Sequence, residues 1–164
     1  MGFVMPHVAV LAAAGCAFIA LILQIVGVAA VGWASDQLYG GSSQDGLWKI
    51  CGMVQGISLC TDWPAVPSVR AFGILGILAM AACVACIIPI TFMSDKQIFG
   101  LLAPGAAIAG GLCALIEFSV YASETADRAE SSTYSYEYCF ALTIVACALC
   151  VIAAVLFMIG RRRG

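Results

Sequence analysis

Four apolar stretches, roughly residues 8–33, 69–93, 98–121 and 138–159, take up most of this 164-residue chain. Each reaches the ~20 residues that a helix needs to cross the hydrocarbon core of a bilayer. Only 10% of the residues are charged, against about a quarter in soluble domains, and 63% are hydrophobic. A chain of this kind places its backbone in lipid, where every N–H and C=O must find a partner within the protein, so the stretches are expected to be helices. What lies between them is too short for a separate soluble or catalytic domain, and residues 1–164 read as one four-span unit. The first stretch has no Lys or Arg before it and is longer than the apolar core of a signal peptide, so it reads as a span. Cleavage at the lipoprotein-like Ala13-Ala14-Gly15-Cys16 is the alternative.

Four crossings put both termini on one side together with the short connection 94–97. That side carries Lys96 and Arg161, Arg162 and Arg163; the other carries Lys49, Arg70 and Arg128. Three arginines directly abut the last span, where the positive-inside bias acts most strongly, so both termini are expected in the cytosol. The larger loops, residues 34–68 and 122–136, then face outside.

The nine cysteines sort by depth. Cys16, Cys83, Cys86, Cys113, Cys139, Cys147 and Cys150 fall within the apolar stretches, where a free thiol acts as a small hydrophobe. The spacings Cys83-x-x-Cys86 and Cys147-x-x-Cys150 look like metal or redox pairs. With one histidine in the chain, and no carboxylate cluster near them, packing is the expected role and no metal or cofactor is anticipated. Cys51 and Cys60 sit in the first loop on the oxidising side. A bridge between them would close a short loop worth roughly 2–3 kcal/mol, two free thiols being the alternative.

The same loop holds Trp33, then Gly46-Leu47-Trp48, then Cys51 and Cys60. A tryptophan, a Gly-Leu-Trp and two cysteines in the first outer loop of a four-span chain resemble the claudin superfamily, which includes the peripheral myelin and epithelial membrane proteins and the calcium-channel gamma subunits. Arg70-Ala71, opening the second span, is similar to the Arg-Ala pair of claudins. The run Ala109-Gly110-Gly111-Leu112-Cys113-Ala114-Leu115, followed by Val120-Tyr121-Ala122, resembles their third helix. Some features depart from the sealing claudins. Fifteen positions separate Trp33 from Trp48 and ten separate Cys60 from Arg70, both short intervals. Tyr134-Ser135-Tyr136-Glu137-Tyr138 is similar to the aromatic entry of the myelin and gamma-subunit branches. The final Arg161-Arg162-Arg163-Gly164 is not the Tyr-Val tail that docks on PDZ scaffolds, and without any Asn the chain has no glycan acceptor.

The resemblance implies an all-α transmembrane fold: a left-handed four-helix bundle with a small extracellular antiparallel β-sheet from the first loop. The residues agree. Ala103, Ala107 and Gly111, beside Ala106, Gly110 and Ala114, form small-residue rows that let helices approach closely in lipid. Residues 47–51 and 57–60 read as a hairpin pinned by the disulfide, with Trp33 and Trp48 expected beneath it at headgroup level. Pro89 and Pro104 are expected to kink or end turns.

For function, the resemblance implies a plasma-membrane protein of cell–cell junctions. It would associate with itself within one membrane and across two, and with lipid, other claudin-like proteins or a channel, to form or regulate a paracellular barrier. The alternative is an auxiliary tetraspan that tunes a channel or receptor. Both outer loops are net acidic, and Asp36, Asp45 and Asp62 in the first are candidates for a cation preference, a solvated non-conducting face being the bland reading. Glu117 is the one ionisable residue well inside a span, and a pairing with Arg70 is expected to offset its cost. An enzyme is not expected: His7 is the sole histidine, there is no nucleotide loop, and one buried carboxylate makes no site. Nucleic-acid binding has no basic face to work with.

Overall fold

The computed structural model describes residues 8–38, 41–54, 57–62, 67–92, 98–130 and 134–163. His7 and the connection 94–97 with Lys96 lie outside the described residues, as do the side chains of Arg161, Arg162 and Arg163. Four helices are long and apolar enough to cross a bilayer: α1 (Val8–Ala29), α2 (Pro67–Ala85), α4 (Phe99–Glu124) and α6 (Tyr138–Arg163). Two short helices, α3 (Ile87–Phe92) and α5 (Ala126–Ala129), follow α2 and α4. Packing runs round a ring, α1 on α6, α6 on α4, α4 on α2 and α2 back on α1.

The seam of that ring is written in heptads. Buried positions step alternately by four and three: Ala13, Ala17, Ala20, Gln24 and Gly27 in α1, and Val69, Gly73, Gly76, Met80 and Cys83 in α2. In α4 the series is Ala103, Ala107, Gly110, Ala114, Glu117 and Tyr121; in α6 it is Cys139, Thr143, Ala146, Cys150, Ala153 and Phe157. A seven-residue repeat keeps its seam on the neighbour only if the helices wind about one another left-handedly. The buried residues are mostly small, while large side chains such as Phe18, Ile22, Leu78 and Leu112 are exposed. That inversion suits lipid, where close backbone packing rather than apolar burial holds helices together. Of the expected rows, Ala103, Ala107, Gly110, Gly111 and Ala114 are buried and Ala106 is half-buried. The adjacent glycines serve two neighbours: a Cβ on Gly110 would lie 2.8 Å from Met80 Cγ of α2, and one on Gly111 would lie 3.2 Å from Cys150 Cβ of α6.

The observed helices differ from the expected spans in two informative places. The second stretch is not continuous: α2 stops at Ala85 and the chain resumes as α3 after Cys86. Pro89 has no N–H for the carbonyl of Ala85, and its ring crowds that carbonyl, so the break falls four residues before the proline. The first helix ends at Ala29, before Trp33, which belongs instead to a strand.

Five strands form one antiparallel sheet in the order β4-β3-β2-β1-β5. β1 (Val31–Leu38) leaves α1 almost without a linker, and β2 (Gly41–Gly46), β3 (Lys49–Val54) and β4 (Ile57–Asp62) follow as a meander. The first loop does not build the sheet alone. β5 (Tyr134–Tyr136), from the second loop, pairs Tyr136 with Ala34 and Tyr134 with Asp36. Tyr134 is buried, whereas Ser135 and Tyr136 are exposed. Side chains seal the junction between the loops, with the Ser35 hydroxyl donating to Glu137 Oε1 (2.7 Å) and Tyr136 stacked on Phe140 at 4.5 Å.

Candidate functional site

The distinctive chemistry gathers where the sheet meets the sheet-side end of the bundle. An α-helix leaves its last carbonyls without intrahelical donors, and at a membrane exit such orphans are costly. Two indoles answer this for α1. Trp33 Nε1 donates to the carbonyl of Gly27 at 2.7 Å, and Trp48 Nε1 donates to that of Val28 at 2.8 Å. Two carbonyls at the end of one helix are thus capped by tryptophans from different strands and turns. The Tyr138 hydroxyl donates in turn to Val31 O (2.8 Å).

Trp33 is fully buried beneath the sheet. The β1–β2 register shifts between Val31 and Ala34, and Gly32 adopts φ +149°, which turns the indole under the sheet. There it lies 4.7 Å from the ring of Tyr121 and 6.1 Å from that of Phe140, within a core that also holds Val28, Leu47, Val69 and Cys139. Trp48 is 41% exposed, and the Arg70 guanidinium sits over its face at 5.1 Å, a cation–π contact. Arg70 Nε also donates to Leu47 O at 2.7 Å, tying the first turn of α2 to the β2–β3 turn.

Each letter of Gly46-Leu47-Trp48 now has a physical reason. Leu47 is the fully buried plug and Trp48 the carbonyl cap. Gly46 lets β2 cross the α1–β1 link: a Cβ there would meet Val31 Cα at 3.1 Å, Lys49 O at 3.2 Å and Ala30 O at 3.3 Å. All three neighbours are backbone and cannot swing aside. Gly46→Ala is therefore expected to destabilise the fold by about 1–3 kcal/mol. Gly52→Ala, in β3 with nothing within 4 Å, should stay within about 0.5 kcal/mol of the parent. Thermal unfolding of both variants in detergent checks the pair, and equal melting would refute the close-approach role of Gly46.

Cys51 and Cys60 are bonded, facing each other across β3 and β4 with Cα atoms 4.1 Å apart. The other cysteines are free, and Cys83, Cys139 and Cys150 are buried in the bundle. Among the described residues no three His, Cys, Asp or Glu side chains are grouped to hold a metal.

The three aspartates do not share one environment. Asp62 is exposed on β4, opposite Lys49, and Asp36 is half-buried on β1. Asp45 is only 3% exposed, held under the sheet near Tyr134 and Tyr121, so it does not face water as expected. Burial pushes the Tyr134 phenol up from its ordinary range, and the nearby Asp45 charge adds to the rise.

Glu117 and Arg70 are not brought together. Glu117 is fully buried, and its Oε2 accepts a hydrogen bond from Gln24 Nε2 of α1, also fully buried; its Oε1 takes no hydrogen bond among the described residues. Arg70 lies one turn nearer the sheet than Gly73, the α2 residue against which the carboxylate packs. Gln24 was not singled out from the sequence, although an amide at a heptad position of an otherwise apolar helix was the available signal.

A family model described as the PMP-22/EMP/MP20/Claudin family matches residues 7–157. No curated protein matches the chain. With its four bilayer-length helices, capping tryptophans and disulfide-pinned antiparallel sheet, the chain is a claudin-like tetraspan membrane protein and belongs to the PMP-22/EMP/MP20/Claudin family.

Proposed function

We propose that this protein is a cell-junction component of the plasma membrane, associating with copies of itself in one membrane and across facing membranes to form or regulate a paracellular barrier. The β3–β4 half of the sheet carries this reading. All six residues of β4 are exposed, among them Ile57 at 71% and Leu59 at 68%, and Met53 of β3 is exposed as well. An edge strand with two exposed large apolar side chains, Ile57 and Leu59, held in shape by a disulfide, is a surface suited to another protein. The three arginines directly after the apolar span Tyr138–Gly160 support cytosolic termini, with the sheet outside.

Expression in cells that lack junction strands tests the proposal. Strands at cell contacts, with an altered ratio of sodium to chloride permeability, are the expected result. Uniform surface staining with a co-purifying channel would instead assign the chain to the auxiliary-subunit role. The exposure of Asp62 and the partial exposure of Asp36 support a role for these two acids toward passing ions, and the burial of Asp45 argues against one for it. Asp36→Lys combined with Asp62→Lys is expected to reverse any cation preference in transepithelial dilution potentials. Unchanged selectivity would remove these acids from the path.

A further inference from the structure

One polar contact inside the bundle is left over from the cap. Gln24 of α1 and Glu117 of α4 are both fully buried at the helix seam. The amide donates to Glu117 Oε2, which leaves two buried oxygens, Gln24 Oε1 and Glu117 Oε1, with no hydrogen bond among the described residues. Both are acceptors, so neither can satisfy the other. Among the described residues no donor reaches either oxygen. The α2 residues against the pair are Gly73 and Gly76: a Cβ on Gly73 would lie 2.7 Å from Glu117 Oε1 and 2.8 Å from Val28 Cγ2, and one on Gly76 would lie 3.6 Å from Gln24 Nε2. The titratable neighbour in electrostatic reach is Cys113, one turn away on the same helix, and it offers no positive charge. An ionised carboxylate with a neutral amide as its partner is poorly compensated at this depth.

We propose that Gln24 and Glu117 form a proton-bearing acid–amide clasp within the membrane. A single proton on Glu117 Oε1 removes both deficits: the acid O–H donates to Gln24 Oε1 while Gln24 Nε2 keeps donating to Glu117 Oε2. The result is a neutral ring of two hydrogen bonds joining α1 to α4 on the glycine face of α2. Its position gives it a role. Tyr121, which packs on Trp33, lies one turn beyond Glu117, and Val28, whose carbonyl holds Trp48, lies one turn beyond Gln24. The clasp therefore fixes α1 against α4 directly beneath the platform that carries the sheet, independently of what that sheet contacts.

Infrared spectroscopy of the full chain in lipid vesicles, at mildly alkaline pH where water-facing carboxyls are ionised, reads the proton itself. The expected result is a protonated-carboxyl C=O band that is lost in Glu117→Gln and shifts to higher frequency in Gln24→Leu. Glu117→Gln preserves a two-bond amide pair and should fold. If a variant does not fold, carboxyl-¹³C-glutamate in the parent chain identifies the band by its isotope shift. A parent spectrum with ionised carboxylate bands alone overturns the proposal, as does a band that survives Glu117→Gln or does not move in Gln24→Leu.

Discussion

Trp33→Ala is expected to lower the stability of the folded protein by about 3–5 kcal/mol, the range for deleting a large buried aromatic side chain. Two losses combine. The first is packing: the fully buried indole touches the rings of Tyr121 and Phe140, and no lipid or water can refill its place beneath the sheet. The second is the hydrogen bond to Gly27 O, whose removal leaves a carbonyl of α1 without its indole donor at the bundle end. Trp33→Phe separates the two in part, because it keeps much of the aromatic volume while losing the donor; its cost should fall to about 1–3 kcal/mol. Denaturant or thermal titration in detergent, followed by tryptophan fluorescence and circular dichroism, measures both variants. Equal and small effects from the two would show that neither the cap nor the packing matters.

Removing the disulfide, by Cys51→Ser with Cys60→Ser, should have the second largest effect, but a localised one. For a separation of nine residues, the chain-entropy model gives about 2.5–3 kcal/mol. That energy does not act on the helix seam. β4 is an edge strand exposed along its whole length, held through its pairing with β3 and through this bond. The variant is therefore expected to keep its helical content while β4 opens roughly a hundredfold more often, as an energy of that size implies. Amide hydrogen exchange resolved by strand is the measurement. Loss of protection spread evenly over α1, α2, α4 and α6 would contradict the separation between cap and bundle. So would unchanged protection of β4.

These two experiments bear on features that were unequally legible beforehand. The cysteine pair could be read from position along the chain, because the other seven cysteines fall in apolar stretches and only Cys51 and Cys60 fall in a polar loop. Trp33, Trp48 and Gly46 could be recognised as a signature, yet their work could not be read. Both tryptophans were expected beneath the hairpin at headgroup level, which says nothing of what their N–H groups bond. Their actual partners are the carbonyls of Gly27 and Val28, and a backbone acceptor leaves no trace in side-chain identity. Asp45 and Asp62 look alike in sequence, but one is covered by the sheet and the other stands on its edge. The pairing of Glu117 with Arg70 failed for a similar reason: shared depth in the membrane suggested it, while rotation about the helix axes gave Glu117 to Gln24.

Hydropathy and spacing alone determined the four crossings, the pinned hairpin and the small-residue seam of the third span. Each of these depends on local pattern: the length of an apolar run, or a period of two or three and a half residues. Only the tertiary structure decided that the second loop adds a strand to the first loop's sheet, that two indoles close the end of α1, and that a glutamine meets the buried glutamate. Those are pairings between segments tens of residues apart. They are set by how helices rotate and how strands register once packed, and no single stretch of the chain carries that information.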